Sequence, residues 1–254
     1  MIEKIFGSRV DWLSQHSVFP EYFRQQFYDT GNLFPEFAAN VGGGQNIYHF
    51  AYYGLYNPLY FPAYFLPFVK MSDYIMVISI LCLVADTLLF YKWIKSHGVS
   101  KGNSILTSIL FLLAGPMIFH SYTHIMFVNY MPFLLLALMG TDRYFQKHRS
   151  DLLTGSVFLM IMTSFYFSIG GILILMTYGV FQYLDTQEKQ RKKVNIKGFF
   201  LAGILFCIPV LTAIMMSGFL LVPTAMALQN SARATGSSIS LTELFLPDSD
   251  YMQI

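Results

Sequence analysis

Residues 152–184 read LLTGSVFLMIMTSFYFSIGGILILMTYGVFQYL, 33 positions without one Lys, Arg, Asp or Glu. As a single straight helix the run would measure about 50 Å, whereas a bilayer's hydrocarbon core is only about 30 Å thick. Its flanks are basic: TDRYFQKHRSD before it holds Arg143, Lys147 and Arg149, and QEKQRKKVNIK after it holds Lys189, Arg191, Lys192, Lys193 and Lys197. Cytoplasmic loops concentrate Lys and Arg, so both ends face the same side and the chain between them crosses an even number of times. Two short membrane segments are therefore expected, breaking near Phe165–Gly171 (FYFSIGG). Such a hairpin must be partly re-entrant or buried among other helices, because lipid does not tolerate exposed backbone. The alternative is one long tilted helix with a misleading charge bias.

The rest of the chain agrees with a membrane solvent. It is 55% hydrophobic and 12% charged, against about 25% charged in soluble domains. Tyr74–Trp93 is a full-length apolar run ending in KWIKSHGVSKGN, with Lys92, Lys95 and Lys101. Ser104–Ser121 and Ile125–Gly140 follow, separated by the polar turn Tyr122–Thr123–His124. Eleven of the sixteen Lys and Arg sit in or beside three short loops, which places all three on the inner face. Gly198–Leu228 then crosses outward, with Pro209 and Pro223 as expected kinks. The expected organisation is an extracytoplasmic loop with interfacial helices (1–71), a transmembrane bundle (72–228) and the start of a further extracytoplasmic segment (229–254). The expected fold class is all-α, a polytopic integral membrane helix bundle.

Several classes find no support. No P-loop, GxGxxG, zinc spacing or heptad repeat is present, which leaves nucleotide-driven transport without a motif. Cys82 and Cys207 lie inside apolar runs and read as small core residues. The lipid bilayer is an expected partner, and a nucleic acid is not.

The external segment is polar by contrast, and an external N-terminal segment ordinarily follows a helix that carried it across. None precedes it, so the sequence is expected to be a fragment or truncated reading frame that lacks an upstream helix, with loss expected at the other end too. Within it, VFPEYFRQQFY (Val18–Tyr28) spaces Phe19, Tyr22, Phe23 and Phe27 at near-helical intervals. This is an amphipathic helix, suited either to the headgroup layer or to packing on a core. The Tyr- and Pro-rich continuation after Gly42–Gly43–Gly44 suits the membrane interface.

The order Asp11-x-x-x-Gln15, Tyr22–Phe23–Arg24, Gly31, Leu33–Phe34, Gly42–Gly43–Gly44, Ala51–Tyr52–Tyr53 and Asn57–Pro58 resembles the YfhO family of bacterial membrane proteins. Ser164–Phe165–Tyr166–Phe167, following a basic loop that bears Asp142–Arg143, fits the same pattern. These proteins are similar to the GT-C superfamily of glycosyltransferases. The likeness covers essentially the whole chain, as the first part of a longer member.

The resemblance implies a GT-C-like fold and the transfer of a sugar from a polyprenyl-phosphate carrier to a cell-envelope polymer acceptor, of teichoic-acid type, on the outer membrane face. Asp11 stands where such enzymes carry an essential acid in their first external loop. It would act as general base toward an acceptor hydroxyl or bind a divalent cation, Mg2+ or Mn2+. Gln15, one turn on, would bind a sugar hydroxyl or fix Asp11; His16, Arg24 and His49 are weaker candidates for meeting the carrier phosphate. Glu21, Asp29 and Glu36 compete as a second carboxylate, with nothing to rank them.

Asp86 sits near the middle of Tyr74–Trp93, where an unpaired charge costs at least about 2.5 kcal/mol. It is expected to face the bundle and to find a hydrogen-bond partner on a neighbouring helix or stay protonated, a proton or ion pathway being the alternative. His120 and His124 read as interface residues rather than metal ligands. Two rival functions remain: a transporter or flippase for an envelope precursor, motivated by Asp86 and the broken 152–184 run, and a non-catalytic remnant.

Overall fold

The computed structural model describes residues 11–41, 43–191 and 193–229. Residues 1–10, Gly42 of the triple glycine, and 230–254 of the expected second external segment lie outside the described residues. The chain forms an outer layer followed by a helix bundle. In the outer layer, α1 (Val18–Thr30) is followed by a two-residue antiparallel ladder, β1 (Phe37–Ala38) with β2 (Gln45–Asn46), Phe37 facing Asn46. Two 3-10 turns, Ile47–Tyr53 and Phe61–Phe65, complete it. The bundle is α2 (Met71–Ser96), α3 (Lys101–Leu112), α4 (Gly115–Thr123), α5 (Ile125–Lys147), α6 (Asp151–Thr163), α7 (Phe165–Lys189), α8 (Ile196–Met216) and α9 (Gly218–Gln229).

Four of these helices, α2, α5, α7 and α8, are long and apolar enough to cross a membrane; α3 with α4 makes a fifth, bent by 42°. α5 is the central element: most of its span is buried, while α2, α7 and α8 turn most of theirs outward. Their outward residues are apolar as well, for example Val77, Ile80, Leu81 and Val84 on α2 and Phe200, Leu201, Ile204 and Leu205 on α8. A helix that is hydrophobic all round belongs in lipid, so the protein is a multi-pass membrane helix bundle.

The uncharged run at 152–184 does divide into two helices, one of them buried. The break falls at Ser164, whose backbone is extended (φ −157°, ψ 98°), just ahead of the expected Phe165–Gly171. Gly170 and Gly171 stay helical, and Gly171 serves packing. A Cβ on Gly171 would lie 2.9 Å from Met160 Sδ, so the bare backbone lets α7 close on α6. The short α6, about 20 Å long, buries Leu153, Val157, Met160 and Ile161 between α5 and α8.

Two further boundaries differ from expectation. Ser104–Ser121 is not one rod: Ala114 is extended and Pro116 opens α4. With no N–H to donate, Pro116 cannot continue the ladder of α3. In the last segment Pro209 and Pro223 sit inside α8 and α9, and the interruption comes at Ser217. There the serine hydroxyl donates to the Ala213 carbonyl at 3.0 Å, competing with the backbone, and Gly218 follows with its weak helix preference.

The three basic loops share one end of the bundle, as the charge bias requires. There Trp93 Nε1 donates to Asp142 Oδ2 at 3.0 Å, and the Tyr178 hydroxyl donates to Asp142 Oδ1. Gln182 Nε2 donates to the Tyr178 oxygen at 2.6 Å, and His97 Nε2 stands 3.0 Å from it. This network fastens α2, α5 and α7 at that end of the bundle. At the opposite end Trp12, Tyr60, Met71, Ile75, Ile125 and Met126 pack together and seat the outer layer on the bundle.

The helix at 18–30 is core-packed. Phe23 is buried with Ala38, Ile47, Ala51, Leu55, Met162 and Leu220, and Phe19 stacks between Phe50 at 4.6 Å and Tyr53 at 4.7 Å. Gly54 turns the chain in a left-handed conformation (φ +95°), where a Cβ would strike the Tyr60 ring at 2.6 Å. The turn and the ring together require glycine.

Candidate functional site

Asp11 opens a single π-helical turn, Trp12–His16. The Ser17 N–H and hydroxyl both donate to the Trp12 carbonyl, at 3.2 and 2.7 Å, closing the wider turn. Turns of this kind recur at functional sites because they re-aim side chains. Trp12 is buried in the seam between outer layer and bundle, and His16 is only 3% exposed. Asp11 and Gln15 stay half-buried, so the turn sends Trp12 and His16 inward and leaves Asp11 and Gln15 at the edge of the seam.

Four other elements converge on this turn. From the 3-10 turn at 47–53, the Tyr53 hydroxyl donates to Gln15 Oε1 at 2.7 Å, and the Tyr53 ring lies 6.1 Å from that of His16. Tyr52 meets Tyr53 and, from the start of α7, Tyr166 edge-on at 5.2 and 5.8 Å. From the joint between α4 and α5, the His124 ring stands 6.5 Å from His16 and 5.6 Å from His120. Phe167 packs against both of those histidines. The Nδ1 atoms of His120 and His124 are buried and accept or donate no hydrogen bond within the described residues.

The electrostatics follow from burial. Desolvation pushes the His16 imidazole down to about 4, with the Asp11 charge opposing the shift and His124 adding to it. His16 is thus neutral at neutral pH, and its burial resists protonation. Burial also lifts the Tyr52 phenol to about 12, helped by Tyr53, Tyr166 and Asp11, so it remains a hydrogen-bond donor. A carboxylate, a neutral imidazole and phenolic donors side by side suit proton transfer to or from a polyhydroxylated ligand. Among the described residues no group of three or more His, Cys, Asp or Glu could hold a metal ion. These side chains alone do not fit a divalent cation.

The remaining sequence candidates lie elsewhere. Arg24 is buried, with Nη1 donating to the carbonyls of Ala63, Leu66 and Val69 at 3.2, 3.3 and 2.9 Å, and Nη2 donating to Glu21 at 2.6 Å. Glu21 also accepts the N–H of Met71 at 3.3 Å, so the pair clasps the loop before α2 and the start of α2. The His49 Nε2 lies 3.0 Å from the Ala227 carbonyl and ties the outer layer to α9. Asp86 faces the bundle on the stripe Met71, Ile75, Ser79, Cys82, Asp86. It is fully buried, and neither carboxylate oxygen finds a hydrogen bond within the described residues.

His120 and His124 are the residues that sequence reasoning left aside. Two histidines four apart share one helical face, and they end an apolar run at a polar break; that pattern was the available signal. Their proximity to His16 depends on how the α4–α5 joint meets the outer layer, which no local pattern encodes.

A family profile described as bacterial membrane protein YfhO matches residues 4–249. No curated protein and no solved structure matches the chain.

Proposed function

Because the chain belongs to the YfhO family of bacterial membrane proteins, we propose that it is a glycosyltransferase of GT-C type, or the part of one that bears the acidic site. In this reading it lies in the bacterial cytoplasmic membrane, with the Asp11 site on the outer face. The donor is a polyprenyl-phosphate-linked sugar, and the acceptor is a cell-envelope polymer such as teichoic acid. The observation that carries the proposal is the convergence of Asp11, Gln15, His16, Tyr52 and His124 at the end of the bundle opposite the three basic loops. Basic loops mark the inner face, which leaves this end outside, where an envelope acceptor would meet it.

The chemistry is a displacement at the anomeric carbon. An acceptor hydroxyl oxygen forms the new bond to that carbon while the bond to the carrier phosphate breaks, and the phosphate leaves with the electron pair. The hydroxyl proton passes to Asp11 as general base. Gln15 and Tyr52 orient sugar hydroxyls.

Replacing Asp11 by Asn in cells that carry the protein should abolish its envelope glycosylation with expression unchanged. An unaltered sugar content would remove the catalytic assignment. The buried, unpartnered Asp86 favours one rival, a transporter or flippase, and the same assay separates the two. Loss of transport in Asp86→Asn, with Asp11→Asn silent, would favour the rival.

A further inference from the structure

A cleft runs between α7 and α8 at the end of the bundle that carries the basic loops. Its inner part is a slot of about 220 Å3 walled by Met176, Gly179, Phe206 and Cys207, with apolar surface nearly throughout. It shares Phe145, Tyr183 and Ala202 with a wider cavity of about 380 Å3, whose rim adds His148, Gln187 and Gln190. The slot therefore opens into a wider cavity whose rim carries polar side chains.

Two glycines build it. At Gly179 a Cβ would lie 2.6 Å from the Phe206 ring, so the bare backbone sets how closely α8 approaches. At Gly203 a Cβ would meet nothing within 4 Å, so the space beside it stays open. From Met176 to Tyr183 the slot follows two turns of helix, about 10 Å. The rim residues His148 and Gln190 are each flanked in the chain by two cations, Lys147 with Arg149 and Lys189 with Arg191, and Lys193 and Lys197 follow on the segment that leads to Phe199 of the slot; Asp151, Asp185 and Glu188 are the acids of the same stretches. Of these cations Lys189 is paired with Asp185 at 2.6 Å, and Arg149 stands 3.3 Å from Asp151.

We propose that this cleft binds an anionic glycerophospholipid of the inner leaflet, one acyl chain in the slot and the phosphate at the basic mouth. The two halves have different demands, and only such a molecule meets both. A soluble anion would leave the apolar slot unfilled, and a zwitterionic lipid would gain nothing from the excess of cations. Basic pockets between membrane helices on the cytoplasmic side recognise acidic headgroups in this way. The site is separate from the Asp11 site and does not depend on its function.

The test is native mass spectrometry of the detergent-solubilised protein, titrated with phosphatidylglycerol, phosphatidylcholine or inorganic phosphate. Wild type should retain phosphatidylglycerol in preference to phosphatidylcholine, and inorganic phosphate should not displace it. Gly203→Leu, which fills the slot without meeting backbone, should lose retention. The combined Arg191→Gln and Lys193→Gln variant lies outside the membrane and should fold normally, with retention weakened roughly fivefold per charge removed. Equal retention of both lipids, displacement by inorganic phosphate, or full retention in the charge variant would each overturn the proposal.

Discussion

Replacing Gly140 by Ala tests the crossing on which the bundle is built. A Cβ at Gly140 would lie 2.7 Å from Leu153 N and 2.8 Å from Leu153 Cα, with Leu152 C at 3.2 Å. All three are backbone atoms, so no side-chain rotamer can relieve the clash. Ordinary contacts between carbon atoms need about 3.5–4.0 Å, so α6 would have to retreat by roughly 0.7 Å or more. That shift would loosen Leu153, Val157 and Met160, which are fully buried against α5 and its neighbours. Overpacking of this kind costs about 1–3 kcal/mol, partly offset by the better helix preference of Ala, up to about 1 kcal/mol. Gly155→Ala on α6 supplies the control, since a Cβ there meets nothing within 4 Å and receives the helix gain alone. Reversible unfolding in mixed micelles, followed by tryptophan fluorescence, should place Gly140→Ala below Gly155→Ala by about 1–3 kcal/mol. If the two variants were equally stable, α5 and α6 would not meet backbone to backbone. The single long tilted helix would then regain its standing as the account of residues 152–184.

Arg24→Ala should cost about 3 kcal/mol or more, because it strands three carbonyls and the Glu21 carboxylate. Arg24→Lys should not restore the loss, since an ammonium cannot reproduce the guanidinium fork; full recovery would mean that the clasp is unimportant. His16 is held down to about 4 by burial, against about 6.5 in the unfolded chain. The unfolded chain therefore binds more protons between those values, and stability present above pH 6.5 should drain away as pH falls toward 4, by about 3 kcal/mol. His16→Gln should flatten that part of the stability profile, and an unchanged profile would exclude His16 as its source. Asp11→Asn removes the charge that opposes the shift, so NMR titration of labelled histidine should find His16 lower still; a rise would contradict the placement of Asp11 beside it.

The clasp at Arg24 and the seat of His16 illustrate where reading by pattern stops. Phe19, Tyr22, Phe23 and Phe27 announce an amphipathic helix, and α1 forms there. The same spacing serves a lipid surface and a protein core equally, because both reward apolar area. Only the arrival of Met162 and Leu220 from distant helices decides for the core. Likewise Arg24 reads as a free cation until the loop before α2 wraps over it and presents three carbonyls.

Membrane residence, helical class, the clustering of three basic loops at one end and the doubling back within 152–184 were all written in the chain itself. Each follows from a one-dimensional quantity, the length of an uncharged run or the position of a charge, which the bilayer converts directly into geometry. The site was legible only at Asp11, Gln15 and His16. Its other half, Tyr52, His124, His120 and Tyr166, depends on the tertiary structure. Those residues come from segments tens to more than a hundred positions apart, and their meeting depends on the close approaches at Gly140 and Gly171 and on the bends at Pro116 and Ser164. Such contacts arise from packing between helices, whose partners no local periodicity names.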